Sequence, residues 1–193
     1  MCILERDELL EDIEKNSSPL QIVKWLYNRW AEDRSNFQYF LRIGIQCWLN
    51  LAFMSLEEMD QDKSATEMYY SYLSETFAYG LAHFQNEINF LCLYGYMIKL
   101  YPYFFTTLSG DYDKDFDYGE KMIQKAFLNN SQHPVAALLV EKPNTQEWLE
   151  KRIKLKSVFK CLFPGESEAD IYFNSVWGGS VKKTVLMPSR EKT

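Results

Sequence analysis

The 193-residue chain is 47% apolar and 25% charged, a composition that folds rather than staying disordered, and at 22.9 kDa it can bury a sizeable core. Its net charge of −6 is unevenly placed: residues 1–120 carry twenty acids and nine bases, residues 121–193 seven acids and twelve bases. An acidic majority repels phosphate, which argues against a nucleic-acid partner and for a basic protein.

The first stretch, MCILERDELLEDIEKN, has acids where a secretory leader carries bases, so no export is expected. Ser18 and Pro19 then supply an N-cap and a first-turn proline, with Val23, Leu26, Tyr27 and Trp30 on one helical face. The next helix is expected from Ser35 to about Ser55. Its apolar residues surround the axis, which implies burial on most sides. Ser64-Ala65-Thr66-Glu67 reads as a capping box opening a third helix through Leu81.

Residues 88–108 form the most membrane-like stretch. Asn89, Lys99, Pro102 and several tyrosines favour a core helix over about 88–104 instead of a membrane span, because Lys99 would need a partner in lipid. An acidic loop follows, with a helix over 117–129. Pro134 begins a short helix, Pro143-Asn144-Thr145 leads into one ending near Phe163, and Ser167 starts a last one through Trp177. Only SVKKTVLM at 180–187 has the β-branched content of a strand, and it could equally be a disordered terminus.

The class is therefore all-α, about nine helices in a bundle or stacked hairpins, with a single helical domain over 1–179 and a C-terminal tail over 180–193. Gly95, with Gly119, Ile123 and Ala126, fits the small-residue positions of a degenerate tetratricopeptide-like hairpin. Those glycines lie 24 residues apart, about twice the usual spacing, and no second copy recurs at a fixed period.

Chemistry-bearing residues are sparse. Cys2, Cys47, Cys92 and Cys161 form neither a CxxC pair nor a disulfide framework and read as buried thiols of a reducing compartment, which points to the cytoplasm. His83 and His133 lack metal-spaced companions, and His133 before Pro134 reads as a loop residue. No nucleophile motif, phosphate-binding loop or dinucleotide signature occurs, so no catalytic residue, metal ligand or cofactor is expected.

The stretch SGDYDKDFDYGE at 109–120 stands out. It fails as a calcium loop, since position six from Asp111 is Phe116 and position twelve is Met122. Two readings remain. In one, the run is a solvated loop whose later acids, Asp115 and Asp117, favour a helix N-terminus. In the other, Asp111, Asp113, Asp115, Asp117 and Glu120, interleaved with Tyr112, Phe116 and Tyr118, imitate a nucleic-acid strand and attract a basic groove. The bases at Lys151, Arg152, Lys154, Lys156 and Lys160 do not form one stripe: from Trp148, Arg152 and Lys156 fall near about 40° and 80° but Lys154 near about 240°. Charge balance, or stems packed along the core edge, fits them better than a phosphate-tracking face.

The stretches FLCLYGYMIKLYPYFF (90–105), YGEKMIQKA (118–126) and EADIYFNSVWG (168–178) resemble bacterial immunity proteins of contact-dependent growth inhibition and related polymorphic toxin systems. The resemblance implies a non-catalytic binder that covers an essential surface of a cognate basic toxin domain, often a nuclease, inside the producing cell. Asp111, Asp113, Asp115, Asp117 and Glu120 would then meet the toxin's basic groups, with Tyr112 and Tyr118 packed beside them. The alternative is a helical-repeat scaffold that holds a peptide in a groove lined by tyrosines from residues 69 to 103.

Overall fold

A helix starts where a side chain can hold its first free N–H groups, and this chain supplies such caps repeatedly. The computed structural model describes residues 2–178. Its ten α-helices are α1 (Glu8–Asn16), α2 (Pro19–Glu32), α3 (Phe37–Phe53), α4 (Leu56–Gln61), α5 (Lys63–His83), α6 (Ile88–Leu100), α7 (Tyr112–Asn129), α8 (Pro134–Leu139), α9 (Gln146–Leu162) and α10 (Glu168–Val176), with a 3-10 turn at Pro102–Phe104. Only α6 begins without a side-chain cap. No strand occurs among the described residues, so the class is all-α, and the 180–193 tail lies outside them.

Several boundaries differ from the sequence expectation. The box at Ser64 does not form: Asp62 accepts from Ala65 N first, and Ser64 lies inside the first turn of α5. The working box is Ser55 with Glu58, which opens the unexpected α4. Neither α1, which is clearly amphipathic with Leu10 on its buried side, nor α4, only six residues long, was among the expected helices. The apolar stretch after Ile88 stays helical only to Leu100, because Pro102 disfavours the helical conformation at Tyr101, which sits at φ −142°, ψ 70°. Among the described residues no helix is long and apolar enough to cross a membrane, and Lys99 pairs with Glu120 instead.

Two parallel helices make the centre. Phe40 of α3 packs on Phe90 and Tyr94 of α6 at one end, and Trp48 packs on Tyr96 and Tyr101 at the other. Every residue from Phe40 to Leu51 is buried, as the all-round apolar pattern implies. Each central helix has an antiparallel partner, α5 on α3 and α7 on α6. The second pairing is close enough that a Cβ at Gly95 would sit 2.9 Å from the Gly119 carbonyl oxygen, and one at Gly119 would sit 2.8 Å from that of Gly95. Ile123 and Ala126 complete the small-residue seam read from the sequence. Gly44 of α3 makes room for α6: a Cβ there would run into the Tyr94 phenol, with Thr76 Oγ1 of α5 next at 3.3 Å. The two hairpins have connections of different length, which explains why no fixed period appears.

The polar positions of α3 recur at i, i+4 and i+8 (Arg42, Gln46, Asn50), and the first two face α10. Arg42, 2% exposed, donates to Ser167 Oγ (3.1 Å), to Asp170 Oδ2 (3.4 Å) and to the Glu5 carbonyl, and Gln46 donates to Glu168. Carboxylates of α1 cap the start of α10 from outside it: Glu11 Oε1 accepts from Glu166 N (2.8 Å) and Glu14 Oε2 from Glu168 N (2.9 Å). Buried charges of this kind are tolerable only when hydrogen-bonded, and the arrangement fastens the beginning, middle and end of the described chain together.

One expectation about reactive residues is corrected and one is refined. Cys47 and Cys92 are buried, which pushes both thiols up, but Cys2 and Cys161 are exposed. His133 does lie in the connection before α8, yet it is a packed residue there. It is 1% exposed and caps α8, its Nδ1 accepting from Ala136 N at 3.3 Å, and burial holds its pKa below the ordinary value.

Replacing Gly95 by Ala should drive a methyl into the Gly119 carbonyl and cost about 1–3 kcal/mol in urea unfolding, the usual penalty for overpacking. An unchanged midpoint would refute the close crossing. Burial first, then the neighbouring Glu168 and Asp170 charges, lift the Glu14 carboxyl from 4.5 to about 7. Between those values the folded chain keeps a proton that the unfolded chain has released, so this contribution is complete below pH 4.5 and gone above about pH 7. Glu14→Gln is expected to stabilise the protein at pH 8 by about 1–3 kcal/mol and to flatten the slope between pH 5 and 8, measured by denaturant titration at both. His133 acts with opposite sign: its lowered pKa adds stability that is present above 6.5 and lost as pH falls below it.

Candidate functional site

The acidic run is a helix, not a loop. Asp111 caps α7 through Lys114 N (3.2 Å), so the helix begins five residues earlier than the periodicity of 117–129 indicates. An acid at every second position advances by about 200° around a helix, which scatters the carboxylates rather than aligning them. Asp113 and Asp117 come together on the outer face, one turn apart. Asp115 lands on the inner face with Gly119 and Met122.

The expectation that five carboxylates form one exposed rim is therefore corrected at two positions. Asp115 is 5% exposed and accepts from Ser109 N (3.0 Å), Ser109 Oγ (2.7 Å) and Gly110 N (3.0 Å), holding the turn where Gly110 adopts φ +76°. Only a carboxylate with several free lone pairs can close that turn from one side chain. Glu120 is half-buried and paired with Lys99, whose ammonium also lies 5.2 Å from the Phe116 ring centre. Of the others, Asp111 is held below the usual carboxylate range by Lys114, with an Nζ–Oδ2 distance of 3.0 Å. Asp113 and Asp117 are exposed and have no cation partner among the described residues.

The aromatic members also divide. Tyr112 is exposed and stacks on Phe116 (6.4 Å, 22°). Tyr118 turns the other way and meets Phe77 edge-on at 6.3 Å, so it belongs to the core edge. Tyr103, which the sequence placed only among the groove tyrosines of the alternative reading, is the most exposed aromatic residue at 61% and stands on the 3-10 turn beside this face. The signal available was Pro102, which ends α6 and turns the next side chain outward. Tyr103, Tyr112, Leu108 and Asp115 share a surface pocket of about 180 Å³.

The tyrosines expected to line a peptide groove are mostly used in packing. Tyr69 and Tyr94 are buried, and Tyr70, Tyr72, Tyr79, Tyr96 and Tyr101 are partly covered. The late bases follow the charge-balance reading in part. Lys151 pairs with Glu141, and Arg152 donates to the Ser175 and Trp177 carbonyls at the end of α10, both at 3.3 Å.

Asp115→Ala should cost about 2–3 kcal/mol, since three donors lose their acceptor, whereas Asp113→Asn should change stability by less than about 0.5 kcal/mol. Chemical denaturation of the two variants side by side checks the assignment. Equal effects would mean that Asp115 does not hold the turn. In comparisons with family models, curated proteins and solved structures, this chain matches none.

Proposed function

We propose that the chain is a non-catalytic immunity protein that binds a basic toxin domain in the cytoplasm of the producing cell and covers its substrate-binding surface. The observation that carries this reading is the corner formed by the start of α7 and the 3-10 turn: Asp113 and Asp117 are exposed on the first turns of α7 with no cation partner among the described residues, and the same helix start carries the exposed ring of Tyr112, which shares a pocket with exposed Tyr103. Carboxylates without internal partners speed encounter with a cationic surface, and nearby rings supply contact area once it arrives. A nuclease, whose groove must be basic to hold phosphate, is the toxin class this suits. The carboxyls with raised pKa, Glu14 and Asp170, are engaged in docking α1 and α3 onto α10 and do not lie on this face.

The resemblance of residues 90–105, 118–126 and 168–178 to immunity proteins supports the same reading, and two of those stretches form the tight α6–α7 hairpin that presents the face. Association should be steered by charge, so its rate should fall with rising salt while dissociation changes little. The test is co-purification with the product of the adjacent reading frame, followed by stopped-flow association at low and high salt. Asp113→Lys with Asp117→Lys should slow association by about tenfold or more. A complex that forms at the same rate with the double variant would place the interface elsewhere.

A further inference from the structure

The pocket beside Tyr103 combines apolar walls, exposed phenol rings and an acid. Pro102, Phe105 and Leu108 give it apolar walls, and the rings of Tyr103 and Tyr112, 61% and 57% exposed, stand at its mouth. Asp115, almost wholly buried and without a cation partner among the described residues, is one of its lining residues. The three donors that reach Asp115 are neutral, and a carboxylate can accept about four hydrogen bonds, so one direction remains free. Asp111 and Asp113 flank Tyr112 in the chain, and the only base in the segment, Lys114, is already paired with Asp111.

At about 180 Å³ the pocket is below the range of roughly 300 Å³ or more that encloses a drug-sized ligand, and suits one long side chain. Apolar walls favour an aliphatic stem, electron-rich phenol faces favour a cation, and a buried unmatched carboxylate favours a positive head. Those three demands are met together by arginine. Its planar guanidinium stacks on tyrosine and bonds a carboxylate while keeping its charge at any physiological pH. We infer that this pocket is the seat of a single arginine side chain of a protein partner, anchored by Tyr103 and Tyr112 and neutralising the charge of Asp115. The inference rests on the binding face proposed above and names the anchor that face would take.

The experiment titrates the full-length, 15N-labelled protein with N-acetyl-arginine amide, N-acetyl-lysine amide and N-acetyl-norleucine amide. The arginine probe should give saturable, salt-sensitive shifts at the amides of Tyr103, Leu108, Gly110 and Tyr112, with norleucine at least roughly tenfold weaker and lysine between them. Tyr103→Ala, at an exposed position that folding tolerates, should weaken the arginine probe by about fivefold or more. Shifts that do not saturate, that map to another surface, or that norleucine reproduces equally would overturn the assignment.

Thr106→Trp, which fills the pocket from an exposed position, separates this inference from the functional reading. Loss of probe binding together with weaker capture of the basic partner supports the anchor. Loss of probe binding with partner capture unchanged overturns the anchor and leaves the charged face standing. If Asp113→Lys with Asp117→Lys leaves partner association untouched while the arginine probe still saturates the pocket, the steering face fails and the pocket assignment survives.

Discussion

The approach of α6 to α7 at Gly95 and Gly119 is the constraint on which the candidate face depends. Two helices separated only by backbone atoms have little freedom to slide, so the position of α7 along α6 is fixed by where the glycines fall. That position sets Glu120 beside Lys99 and Phe116 beneath the same ammonium. It also decides that the first turn of α7 emerges next to the 3-10 turn after Pro102. Larger residues at the crossing would force the helices apart and dissolve the corner shared by Tyr103, Tyr112 and the outer carboxylates.

At the other side of the molecule, charge holds the bundle closed in a different way. Arg42 sits within the longest buried run of the chain, and its burial is tolerable because Asp170, Ser167 and the Glu5 carbonyl all accept from it. Glu11 and Glu14 deliver carboxylates to the N–H groups at the start of α10, where a helix carries partial positive charge. Glu11 and Glu14 are thus structural, although in the sequence they look like the acids of α7. The difference lies in partners: these two have backbone donors waiting, and no described residue offers one to Asp113 or Asp117.

This division bears on function. A protein with a surplus of acids can be acidic for solubility, for folding or for binding, and composition cannot separate the three. Here Glu11, Glu14 and Asp170 are spent on folding, Glu120 on a pair with Lys99, and Asp115 first of all on closing the turn at Gly110. What remains beside exposed aromatic rings is a small set, which narrows the proposed interface from a twelve-residue run to one edge of α7 and the turn before it.

Legible in the residues alone are the all-α class, the burial of α3 on all sides, the helix starts at Ser18, Pro134, Thr145 and Ser167, and the small-residue seam of Gly95, Gly119, Ile123 and Ala126. Those are local properties, readable because caps, prolines and helical periodicity act over a few residues. Ser64 misled because Asp62, two residues earlier, is an equally good cap, and the competition is settled by which start lets Ala65, Tyr69 and Leu73 reach the core. Which carboxylates face water is set instead by packing between segments far apart in the chain. Whether Asp115 turns inward depends on Gly119 and Met122 being pinned against α6, and whether Glu14 is a surface acid or a cap for α10 depends on a segment more than 150 residues away.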